Sequence, residues 1–101
     1  MEVAVLGNKS TVLGFRLAGV KNCIEAANNI VDLTRQFKEL TADKNICLLI
    51  IDNSCEPIRD EIIRFIEFHN KPAIVEIPCK GKGFEKSIFE TIIKRATGEK
   101  Q

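Results

Sequence analysis

The side chains able to do chemistry in this chain are few and scattered. Asp52 ends the apolar run "ICLLII", where a carboxylate accepting a phosphoryl group beside Mg²⁺ would stand. Such a site needs acidic partners after the first strand, and that place is held by Gly7 and Asn8. The run "GNKST" has the lysine and hydroxyl of a phosphate-binding loop. Aligned on Lys9 and Ser10, however, that motif requires glycines where Val3 and Asn8 stand. It reads instead as a turn at Gly7 and Asn8, with Ser10 or Thr11 capping a helix. "GKGFEK" lacks the third glycine of a dinucleotide loop. Cys23, Cys47, Cys55 and Cys79 form no C-x-x-C pair, so they read as reduced structural thiols rather than zinc ligands or a redox couple. A phosphocysteine carrier would want a cysteine in the first loop, and there is none. His69 has no cysteine or second histidine near it in sequence and reads as a surface residue. The sequence thus offers no catalytic residue, no metal ligand set and no cofactor loop.

The elements that would carry such residues are clearer. "EVAVL" and "ICLLII" are short apolar runs rich in β-branched residues without strict alternation, as expected for central parallel strands covered on both faces. "AIVEI", between Pro72 and Pro78, is a third run of this kind, and Lys21 to Ile24 is a short edge candidate. Between them the apolar period becomes helical. Ala26, Ala27, Ile30, Leu33, Phe37 and Leu40 form one stripe, and Ile58, Ile62, Phe65 and Ile66 another. Asn53 with Glu56 resembles a capping pair, and Pro57 suits a first helical turn. A last helix runs from about Phe84 to Ala96. The order β-α-β-α-β-α-β-α predicts an α/β fold, a small four-stranded parallel sheet with helices on both faces, receiver-like or flavodoxin-like, plus a C-terminal helix. Residues 1–80 make the receiver-like core. Residues 81–101 supply a loop and the final, partner-contacting helix.

Composition narrows the function classes. The 101 residues carry 15 Lys and Arg against 14 Asp and Glu, a net charge of +1 that gives no field for steering nucleic acid or anionic lipid. No run approaches the ~20 apolar residues of a membrane-spanning helix. The amino terminus has neither the basic lead nor the long apolar core of an export signal. A soluble cytosolic domain is expected.

The stretch "VLGFRLAGV" is the most informative. On a helix, Val12, Phe15 and Gly19 share one side, while Leu13, Leu17 and Val20 share another about 100° away. One sheet cannot cover both. Gly14 costs about 1 kcal/mol in a helix interior relative to alanine, which suggests the close approach of another backbone. The plainer expectation is a short helix that ends at Gly19 and is tucked under its own chain. In the last helix, Phe84, Ile88, Ile92 and Ala96 form one row, with Phe89 and Ile93 beside it, so one row can meet the sheet and the other a partner.

These residues resemble the F subunit of archaeal-type and vacuolar-type rotary ATPases. The likeness is carried by "VAVLGNKSTVLGFRLAGV", continues through "ICLLIID", "IRDEI" and "PAIVEIP", and closes on "IIKRATGEK". It covers essentially the whole chain. Asn8 departs from the family's common aspartate. The resemblance implies a non-catalytic, cytoplasmic central-stalk subunit, peripheral to the membrane and without cofactor. It would bind the coiled-coil D subunit and turn inside the catalytic A/B ring beside the other stalk subunits. The expected partner contacts are Phe15, Arg16 and Leu17 of the first helix with Ile88, Phe89, Ile92 and Ile93 of the last, Arg16 orienting the contact by pairing with a carboxylate or helix-end carbonyls. The competing readings are a stand-alone receiver-like signalling domain with a degenerate phosphoacceptor site and a small flavin or nucleotide enzyme.

Overall fold

A computed structural model describes residues 2–78. The elements run β1 (Glu2–Gly7), α1 (Lys9–Leu17), β2 (Asn22–Glu25), α2 (Ile30–Ala42), β3 (Ile46–Ile51), a 3₁₀ segment (Asn53–Ile58), α3 (Arg59–Phe68) and β4 (Ala73–Glu76). All three strand pairings are parallel, in the order β2-β1-β3-β4. The expected four-stranded parallel α/β sheet is therefore present. The anticipated final helix, with Ile88, Phe89, Ile92 and Ile93, lies outside the described residues.

Right-handed crossovers set which face each helix covers. From β1 to β2 the chain steps outward one way. From β2 to β3 it steps back past β1, and to β4 it continues in that direction, so α2 and α3 share the face opposite α1. The packing follows. Leu33 and Phe37 of α2 and Ile62 of α3 join Ala4, Leu6, Leu49 and Ile51 of the sheet in one buried cluster, with Phe37 and Phe65 meeting edge to face at 5.6 Å. On the α1 face, Val12 meets Val5 and Cys23 in a smaller cluster, with Phe15, Val20 and Ile50 packed around it.

β1 and β3 are the central strands, as their unbroken apolar runs predict. β4, expected to be equally covered, instead alternates between exposed and half-buried residues because it has only β3 as a neighbour among the described strands. Three local readings also change. Asn8, rather than Ser10 or Thr11, caps α1: its side-chain oxygen accepts the Thr11 N–H at 2.9 Å. Asp52, rather than Asn53, caps the segment after β3, and Glu56 turns to Arg59 instead of closing a capping box. Pro57 lies inside the 3₁₀ segment, and α3 begins two residues later. Ala26 and Ala27 pack against the core from the loop before α2, whose cap is Asn29.

Candidate functional site

Ligands of open parallel sheets sit beyond the carboxyl ends of the strands, next to the point where strand order reverses, here between β1 and β3. Asp52 stands there, and its side chain is fully buried. One carboxylate oxygen accepts the Asn8 N–H at 2.9 Å, and the other accepts the Ser54 N–H at 2.9 Å and the Ser54 hydroxyl. Burial alone would push this carboxyl up. Hydrogen bonds from Ser54, Thr11 and the Asn8 backbone outweigh it and hold the group below its ordinary value, so Asp52 is ionised at neutral pH.

Gly7 shows how tightly this knot is drawn. A Cβ on Gly7 would fall 2.6 Å from Asp52 Oδ2 and 3.1 Å from the Thr11 methyl, so a side chain there would displace the carboxylate. Asp52 thus ties the β1–α1 turn to the β3 exit. A carboxylate saturated by donors of its own chain has little left for a cation or a phosphoryl group. Cys55 lies under the same knot, where burial and then the Asp52 charge push its thiol up to about 12. It is not a nucleophile at neutral pH.

The neighbouring β2–α2 loop is also closed by its own residues. Gln36 accepts the Ala27 N–H at 2.8 Å and donates to the Glu25 carbonyl at 3.0 Å, while Ala26 donates to the Gly7 carbonyl at 2.8 Å. Sequence reading missed Gln36, whose position on the helix gives no hint that its amide reaches back to the loop. His69 is exposed at the end of α3, its ring stacked 4.4 Å from that of Phe65. Among the described residues no three His, Cys, Asp or Glu side chains come together as a metal site. Beside the sheet edge, α3 and β4 line a groove of about 310 Å³, walled by Ile62, Ile66 and Ile74 and by Arg59, 3.7 Å from Glu76.

The outer side of α1 is different in kind. Val12 is buried and Phe15 half-buried against the sheet, while Leu13 and Leu17 are 55% and 81% exposed. The two apolar sides read from the sequence are present, and Leu13 and Leu17 of the second are left uncovered by the described residues. Val20, assigned to that outer row, instead turns in against the smaller cluster because the chain leaves the helix at Ala18 and Gly19, the latter at φ 102°. Helix termination near Gly19 is as expected, but no tucking under neighbouring chain is seen among the described residues. Of the expected contacts on α1, Leu17 points outward, Phe15 is shared with the core, and Arg16 donates to the Cys23 carbonyl at 2.9 Å, steadying the helix end against β2. Gly14 is exposed, with nothing within 4 Å of where its Cβ would be.

A receiver-like α/β domain with knotted strand ends and an apolar ridge on one helix is the class of protein that the fold defines. Residues 3–95 match the family of the ATP synthase (F/14-kDa) subunit, and the chain belongs to that family. It is 35% identical to the F subunit of the A-type ATP synthase of Thermoplasma volcanium over 95% of this chain and 90% of that protein. It is 37% identical to the same subunit of Methanocorpusculum labreanum over 97% and 95%, and 34% identical to that of Methanocaldococcus jannaschii over 97% and 96%. No helix among the described residues is long and apolar enough to cross a membrane.

Proposed function

We propose that this chain is a non-catalytic subunit of the central stalk of an A-/V-type rotary ATP synthase. In this reading it is cytoplasmic and peripheral to the membrane, seated on the coiled-coil D subunit inside the catalytic A/B ring. It turns with the stalk and helps couple ATP synthesis or hydrolysis to proton or sodium transport. The observation that carries the reading is the contrast between Asp52, fully engaged by its own chain, and the exposed row of Leu13 and Leu17. A rotor element must pass torque through an interface that does not slip, which requires apolar surface free to be covered and no moving catalytic loop. Leu17, with Phe15 behind it and Arg16 at its edge, supplies one part of that interface. Ile88, Phe89, Ile92 and Ile93 supply the other.

Co-expression with the coiled-coil stalk protein, followed by size-exclusion chromatography, tests this. The expected result is a stable one-to-one complex, weakened by Phe89→Asp or Ile93→Asp while the domain stays folded. Absence of any complex would sink the proposal. Tight, Asp52-dependent binding of beryllofluoride with Mg²⁺ would favour the signalling reading instead.

A further inference from the structure

We infer that the outward ridge of α1, made by Ser10, Leu13, Gly14 and Leu17, is a seat for one helix of an acidic partner, which crosses at Gly14. This rests on the stalk reading above and specifies which surface meets the partner and what that partner's contacting helix looks like.

At 100° per residue, the buried Val12 and half-buried Phe15 fix the inner side of α1, and the four ridge residues fall on the opposite side. All four are exposed, and none is charged. An ordinary surface helix turns its charges to this side. Here the charges are displaced to the rim: Lys9 at the start of the helix, Arg16 along its flank, and Lys21 just beyond its end, with no acidic side chain anywhere in Lys9–Leu17.

Gly14 gives the geometry of the contact. The fold does not need a glycine there, since a Cβ would meet nothing within 4 Å and the backbone is ordinary right-handed helix. What a bare backbone beside the Leu13–Leu17 row does permit is an interaxial distance near the short end of the usual ~8–10 Å. Leu13 and Leu17 then pack along one flank of the incoming helix.

Charge and size select the occupant. A second copy laid on the same face would bring Lys9, Arg16 and Lys21 against their own kind, whereas a helix whose apolar seam is bordered by Asp and Glu would meet them favourably. A nine-residue helix spans only about 13 Å, too little for the roughly 1,200 Å² that a stable pair of proteins buries. The occupant therefore holds this chain at a second place as well, as a long stalk helix pair does.

The test measures affinity between the full chain and the purified coiled-coil stalk protein. Gly14→Leu should weaken binding by at least about tenfold while leaving the melting temperature of the free chain no lower. Lys9→Glu with Lys21→Glu should weaken it further and flatten its dependence on salt. Wild-type complex formation with Gly14→Leu affinity unchanged would overturn this seat and leave the stalk reading standing. No complex with the wild-type chain would sink both. A dimer of the free chain that Leu17→Asp dissolves would assign the face to a second copy. A marked fall in the melting temperature of the free Leu17→Asp chain would assign it to the chain's own residues 79–101. Either result overturns the proposal.

Discussion

The two faces of the sheet are built to different standards. On one, α2, the 3₁₀ segment and α3 bury Leu33, Phe37, Ile58 and Ile62 against Leu6, Leu49 and Ile51, and partly buried Leu40, Phe65 and Ile74 fill the margins. On the other, among the described residues, a single short helix lays Val12 over Val5 and Cys23. The first face holds the larger buried cluster. The second holds α1 in place with little more than one inward row, its cap at Asn8 and the Asp52 knot, and among the described residues nothing covers Leu13 and Leu17 on the opposite side. α1 is thus fixed in position by polar ties at its ends, Asn8 to Asp52 and Arg16 to Cys23, as well as by its one inward row. The surface proposed above for a partner is surface that α1 does not bury in its own core.

Phe37→Ala should break the better-built face. A fully buried aromatic ring that also meets Phe65 edge to face should cost about 3–5 kcal/mol, a large part of the ~5–15 kcal/mol that a domain possesses, measured by chemical denaturation. Val12→Ala on the thinner face should cost only about 1.5–2 kcal/mol. Equal losses would abolish the distinction between the faces.

The knot that anchors α1 should respond next. Asp52→Ala leaves the Asn8 and Ser54 donors without their acceptor and should cost about 2–3 kcal/mol. Gly7→Ala should cost about 1–3 kcal/mol in the presence of Asp52 and far less in its absence, because the crowding is with that carboxylate. A double-mutant cycle that proved additive would show that Gly7 and Asp52 are not one unit.

The same carboxylate sets an acid limit. Its folded-state pKa lies below the ordinary 3.8, so its stabilisation is fully present above that value and is lost as the pH falls through the lower, folded one. Stability should be flat with respect to this group above about pH 5 and decline below about pH 4. In Asp52→Asn the decline should be shallower. An unchanged acid limb in that variant would assign the acid sensitivity to other carboxylates.

The smallest effect sharpens the comparison most. Gly14→Ala has open space for its methyl group and should raise the stability of the free chain by about 0.5–1 kcal/mol, read as a higher denaturation midpoint. A stabilising substitution that the sequence has not taken is what a contact surface predicts. A destabilised Gly14→Ala chain would mean that the glycine serves the fold after all.

Much of this is legible in the residue types alone. β1 and β3 declared themselves by unbroken apolar runs, and α2 and α3 by stripes of helical period, since burial on two faces or on one stripe leaves a direct trace in residue type. The capping residues were harder. "GNKST" contains three residue types that cap equally well, and only the path of the chain selects Asn8. Asp52 was singled out for chemistry and proved to be a tie, because a strand-end aspartate reads the same in sequence whether its neighbours are cations or backbone N–H groups.

The sequence by itself determined which segments are strands and helices, that α1 has two apolar rows, and which family the chain resembles, because each of these rests on residue types at near-neighbour spacing. Only the tertiary structure decided which of the two rows faces water, that Gly7 is bare for the sake of a carboxylate 45 residues away, and that Gly14 is bare for nothing in the described fold. Those facts depend on which distant segments come together, and a pattern along one helix has no means of recording what lies across from it.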